Sequence, residues 1–206
     1  SNYYATIGGG VFNTASDYCS TIGGGYCNIA SCVASTIAGG YCNTASGLYT
    51  TIGGGYCNVA SGICATVGGG RKNIASGDIS TVAGGNCNIA SNSRAFIGGG
   101  QTNTASSYNS TVGGGVFNTA SGYASTVSGG CCNISSGCNT IIGGGYSNTA
   151  SGTYSFIGGG SLNVADSTFG SILGGCANKT CGFACAMIVG TNLCATQVCT
   201  TFMNCA

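Results

Sequence analysis

Residues 21–35 read Thr-Ile-Gly-Gly-Gly-Tyr-Cys-Asn-Ile-Ala-Ser-Cys-Val-Ala-Ser, and residues 51–65 read Thr-Ile-Gly-Gly-Gly-Tyr-Cys-Asn-Val-Ala-Ser-Gly-Ile-Cys-Ala. The same fifteen-residue frame starts at Thr6 and runs without insertion to Ser171, where its twelfth copy begins. One such unit is too small to bury an apolar face by itself. Stacked on its neighbours, it can, so a fixed period of this length predicts a solenoid of one coil per repeat.

With Thr6 as position 1, the columns divide by chemistry. Position 2 is always Ile or Val, from Ile7 to Ile172, and position 10 is Ala in ten of twelve copies, with Ser135 and Thr180 the exceptions. A coil this small encloses few side chains, so these columns are the expected core. β-Branched residues favour extended strands, and strand side chains alternate, which turns the position-1 Thr outward. Positions 4 and 5 are Gly in every copy, either to turn through positive φ or to leave bare backbone where another chain packs. Position 3 admits Ala38, Ala83, Ser128 and Leu173. Position 8 is always Asn, which suits a left-handed turn and can also bond from coil to coil as a ladder. Positions 6, 7, 13 and 14 vary, and must face solvent or a partner. At about 4.8 Å per coil, thirteen coils span roughly 60 Å.

Composition removes whole classes of function. Only 3% of the 206 residues are charged and the net charge is +1, too little to attract nucleic acid or an anionic membrane. With 43% hydrophobic residues the chain folds rather than staying disordered. Gly pairs interrupt every apolar run before the roughly 18 residues of a membrane-spanning helix. Ser1–Ala5 reads as the end of an earlier coil, which predicts a processed or truncated chain.

Written as Ser-Thr-Ile-Gly-Gly-Gly-x-x-Asn-x-Ala-Ser-Gly-x-x, the coil resembles the head repeat of the YadA-like trimeric autotransporter adhesins. The Ile-Gly, the polar-x-Ala and the following Gly align, with one extra residue per coil here. It is also similar to repeats in tail-fibre-like proteins of phages and large DNA viruses. Gly190-Thr191-Asn192-Leu193 and Thr200-Thr201-Phe202-Met203-Asn204 resemble the exit strand of such fibres. The resemblance implies an all-β, left-handed parallel β-roll (a β-solenoid), three chains side by side as a homotrimer, displayed at a virion or cell surface for attachment to a receptor or glycan. Residues 1–175 are then the regular β-roll. Residues 176–206, where the repeat degrades, are a Cys-rich cap or stem transition.

Sixteen Cys without a single His or Cys-x-x-Cys spacing point to disulfides in an oxidising compartment, or to free buried thiols, rather than to zinc. Cys176, Cys181, Cys185, Cys194, Cys199 and Cys205 cluster at the end as disulfide candidates for the cap, which a solenoid needs against edge-to-edge growth. Cys27, Cys42 and Cys57 share position 7 and should stack, within disulfide reach but with awkward side-chain directions. Tyr26, Tyr41 and Tyr56 form an exposed aromatic column beside them, suited to a chain interface or a glycan. Of three glycosylation sequons, Asn133 and Asn178 lie in the invariant Asn column, which leaves Asn109 as the candidate acceptor.

No enzyme, cofactor or metal site is expected. The only acids are Asp17, Asp78 and Asp166. Asp17 and Asp78 are about four coils, ~19 Å, apart, beyond the roughly 5–9.5 Å of a two-carboxylate hydrolase. The Gly runs lack the Gly-Lys-Ser/Thr of a phosphate loop. Two rivals to the fibre reading remain: a self-assembling extracellular filament, and an ice-binding solenoid using the position-1 Thr ridge, which breaks at Phe96, Ile141 and Phe156.

Overall fold

A computed structural model describes residues 4–204, which form a parallel β-solenoid with no helix among them, hence none long and apolar enough to cross a membrane. The chain divides into two compact units, Ser1–Thr102 and Asn103–Ala206. In the first, two-residue strands at positions 1–2, from Thr6–Ile7 to Phe96–Ile97, pair in parallel and in register, Thr6 with Thr21 and Ile7 with Ile22. A second parallel sheet joins positions 9–10, from Thr14–Ala15 to Ile89–Ala90. Single bridges at position 6, Val11 through Tyr26, Tyr41 and Tyr56 to Gln101, close the third side. The second unit repeats the plan up to the strand Ser171–Gly174. There the frame slips: Met187 pairs with Ser171, and Thr201 pairs with Met187.

Two bends of each coil are made by residues the sequence leaves variable. Position 7 has φ between +51° and +60° in all twelve copies, and position 14 between +50° and +59° from Cys19 to Phe169. This corrects the expectation for position 8, whose Asn residues are not left-handed. The physical reason lies in the hydrogen bonds. Strand amides donate toward the next coil, as Tyr26 N–H does to Gly40 (2.9 Å), whereas left-handed residues donate backward, as Cys42 does to Tyr26 (2.9 Å) and Cys64 to Leu48 (2.8 Å). Each bend therefore satisfies a backbone donor that a right-handed residue would turn away, and this offsets about 1–2 kcal/mol of left-handed strain.

The Asn column is a buried ladder. Asn58 donates its backbone N–H to Asn43 Oδ1 (2.9 Å), and its Nδ2 donates to Gly54 O and Gly70 O (2.9 Å each). The pattern recurs at Asn28, Asn73, Asn118 and Asn163. It ends where Leu193 donates its N–H to Asn178 Oδ1 (3.0 Å) and offers no amide in return. Asn192, one residue before, is a left-handed bend instead.

At position 5 the positive-φ explanation for Gly holds, and the bare backbone is also needed by the chain's own next coil. φ lies between +85° and +98°, and a Cβ on Gly55 would overlap the Gly70 carbonyl and sit 2.7 Å from Asn58 Nδ2. At position 4 crowding explains little within the chain: Gly54, Gly69, Gly99 and Gly144 have φ between +141° and +159°, but Gly84, Gly114 and Gly129 do not, and a Cβ on any of those three meets nothing within 4 Å. The tolerant position 3 is the crowded one, since a Cβ on Gly8 sits 2.5 Å from Gly23 O.

The core holds position 2 and position 10 as expected, both fully buried from the second coil on, together with two columns that read as polar or as turn. Position 15 (Ser35, Thr50, Ala65, Ser80) is buried, and the hydroxyls of Ser35 and Thr50 reach back to position 12, Ser35 Oγ to Cys32 O at 2.7 Å, whereas Ser80 Oγ finds no partner. Position 12, Gly in seven of twelve copies, is backed by the next coil's main chain at Gly47, Gly62, Gly77, Gly122, Gly137 and Gly152.

Candidate functional site: the outward columns

Outward side chains at one bend stand in rows. Tyr26, Tyr41 and Tyr56 stack face to face at 5.2 and 5.1 Å between centroids, with interplanar angles of 10° and 4°. Phe12 closes one end edge-on at 5.5 Å, and the Arg71 guanidinium covers the other at 5.7 Å. Both faces of Tyr41 are thus occupied by neighbouring rings. A sugar needs a free aromatic face to stack, so Tyr41 offers only its ring edge and phenol hydroxyl. The Tyr41 phenol is held above its usual pKa by the Cys42 thiol beside it and by burial.

Cys27, Cys42 and Cys57 do share one bend, with φ of +52°, +52° and +54°, and all three thiols are free and half-buried. Burial pushes the Cys42 thiol pKa up, and the thiols of Cys27 and Cys57 on either side add to it. Cys131 and Cys132 bring their sulfurs to 3.1 Å, and that contact, ahead of burial, raises the pKa of Cys131. In the terminal cluster Cys181 and Cys194 are bonded, with Cα atoms 6.1 Å apart. Cys176, Cys185 and Cys199 are free, and Cys205 lies outside the described residues.

Asn109 is an exposed left-handed bend, whereas Asn133 and Asn178 are fully buried in the ladder. Each acid serves its own backbone: Asp17 Oδ1 accepts from Tyr18 N–H (2.7 Å) and Asp78 Oδ1 from Ile63 N–H (2.9 Å). Among the described residues there is no pocket and no group of three metal-ligating side chains.

The sequence exceptions come in compensating sets. Ser135, in the Ala column, meets Thr140 across the same coil at 2.7 Å, so two buried hydroxyls satisfy one another. Thr180, the other exception, accepts from the backbone N–H groups of Asp166 (3.0 Å) and Ser167 (3.1 Å) and donates to Asp166 Oδ1 (2.9 Å). Asp166 Oδ1 also accepts from Gly182 N–H (2.9 Å), and Oδ2 lies 3.4 Å from Lys179 Nζ. Partial burial pulls this carboxyl's pKa up, but Gly182, Thr180 and Lys179 together leave it below its ordinary value. The signal was available, since Asp166 replaces the position-11 Ser one coil before Thr180 replaces Ala.

These columns can be set beside known repeats. Residues 35–47 match the family of the ubiquitous surface protein adhesin repeat. The matched stretch, Ser35 to Gly47, covers most of one coil and includes Tyr41, Cys42, the ladder residue Asn43 and the core residues Ile37 and Ala45. No curated protein matches the chain. The repeat match and the β-solenoid together fit an adhesin-like repeat protein, and they favour a non-enzymatic one.

Proposed function

We propose that the chain is a rigid segment of a surface adhesin or fibre, on a cell or a virion, in which three copies pack side by side and the outward columns make the attachment. The observation that carries this reading is position 4. Its Gly is invariant over twelve coils: Gly54, Gly69, Gly99 and Gly144 have φ between +141° and +159°, but Gly84, Gly114 and Gly129 do not, and a side chain on any of those three would meet only open space. A requirement for bare backbone that is not internal is one that a neighbouring chain supplies, because only Gly lets main chains approach closely.

The test is mass in solution, with Gly84→Leu and Gly129→Leu as variants. The native chain should run as a trimer, and each variant should keep its β-signature while losing association. A native monomer would overturn the assembly, and a polydisperse polymer would favour the end-to-end filament instead. Recognition by the Tyr column works through edges and hydroxyls, so Tyr41→Phe should weaken attachment to cells nearly as much as Tyr41→Ala. Equal binding by Tyr41→Phe and the native chain would exclude the hydroxyl row as the contact.

A further inference from the structure

The last two turns of the second unit differ from the rest in register and in sulfur content. Met187 pairs with Ser171 sixteen residues earlier, and Thr201 pairs with Met187 fourteen residues earlier, so one coil carries an extra residue and the next gives it back. The bend before each strand is occupied by Cys: Cys185 before Met187–Val189 and Cys199 before Thr201–Met203. Both are left-handed, with φ of +56° and +52°, both are exposed, and Cys199 N–H donates to Ala184 O at 3.0 Å. At this bend in earlier coils, side chains of successive turns lie side by side, as Tyr154 and Phe169 do at 5.1 Å and 6°. Cys185 and Cys199 repeat that placement with thiols, each two residues before a strand that pairs with the other's. The neighbouring pair Cys181–Cys194, also one coil apart, is already bonded.

The strand these thiols flank is weakly held. Thr201–Met203 has three residues, of which Thr201 and Met203 are exposed and Phe202 is half-buried.

We propose that Cys185 and Cys199 form a second, oxidisable cross-link that latches the strand Thr201–Met203 onto Met187–Val189. A low-molecular-weight disulfide such as glutathione disulfide is the oxidant. One protein thiolate attacks it, forming a mixed disulfide and releasing one glutathione. The second thiolate then attacks the protein sulfur of that mixed disulfide and displaces the other glutathione. The protein loses two hydrogen atoms, which leave on the two glutathione thiols. The inference stands independently of the side-by-side assembly.

The test uses the full chain and its Cys205→Ser variant in glutathione buffers of stepped ratio, with peptide mapping under non-reducing conditions and hydrogen exchange. The expected result is a Cys185–Cys199 linked peptide lighter by two hydrogens. Exchange at the Thr201–Met203 amides should slow on the order of a hundredfold, as closing a loop of this length implies. Both effects should persist in Cys205→Ser and vanish in Cys185→Ser and Cys199→Ser. Recovery of Cys185 bonded to Cys176, to Cys205 or to another chain would overturn the pairing. So would alkylation of both thiols in a buffer that keeps Cys181–Cys194 bonded. A link that forms without slower exchange would overturn the latch.

Discussion

Replacing Asn58 with Ala removes three hydrogen bonds from the middle of the first unit. Two are the donations from Nδ2 to Gly54 O and Gly70 O, and the third is the one Oδ1 receives from Asn73 N–H, each 2.9 Å long. The groups left behind fare differently. Gly70 O keeps the Tyr56 N–H at 2.9 Å, and half-exposed Gly54 can turn to water. The Asn73 amide, in a fully buried residue, is left without an acceptor. Three bonds at about 1 kcal/mol each, plus about 1–3 kcal/mol for the orphaned donor, give a loss of about 4–6 kcal/mol. That is a large share of the about 5–15 kcal/mol that holds a typical domain. Guanidinium unfolding gives the size of the loss, and hydrogen exchange at the Asn73 amide gives its location. Asn178→Ala is the control: its Oδ1 serves the N–H of Leu193, a residue that is only half-buried, so water can replace that acceptor and the loss should stay near the about 3 kcal/mol of the three bonds alone. A loss below about 1.5 kcal/mol for Asn58→Ala, or equal losses at both sites, would refute the ladder as a main source of stability.

Other expectations are more local. Ser80 Oγ is buried without a partner between Ala65 and Ala95 of its column, so Ser80→Ala should raise stability by about 1 kcal/mol or more in thermal unfolding, whereas Ser35→Ala, which breaks a 2.7 Å bond, should lower it. Ile79 is β-branched at φ +59°, so Ile79→Asn should stabilise the first unit by up to about 1 kcal/mol; a loss would mean that its side-chain contacts outweigh the strain. Asp166 has a lowered pKa in the fold, so its contribution is present above the unfolded carboxyl's pKa and is lost as pH falls through the folded value. Acid unfolding monitored against Asp166→Asn should show a flatter pH dependence in the variant.

Much of this was legible in the sequence, for reasons that can be named. Ile22 and Ala30 declare the core because each recurs at an unbroken interval, and Asn28 declares the ladder because no substitution is tolerated there. Ser35 and Ser80 did not, since a hydroxyl reads as surface until the backbone oxygen that receives it is known. The bends were hidden more thoroughly. Cys42, Lys72 and Ile79 share a left-handed conformation that none of their side chains prefers, and only the backward hydrogen bonds show why it is adopted. In the outward columns, the Tyr26–Tyr41–Tyr56 row was evident from spacing. That both faces of Tyr41 are closed by its neighbours is a matter of ring orientation, to which periodicity is blind.

The backward donation at each bend and forward donation along each strand also bear on heredity. Within either unit a regular coil offers the same set of partners above and below, so removing or copying one leaves no mismatched seam. Recombination between tandem coding repeats would then change the reach of the molecule in whole-coil steps without passing through an unfolded intermediate generation. Coil number becomes a trait that selection can adjust freely, while the irregular turns around Cys185 and Cys199, whose register matches only each other, cannot be shuffled singly.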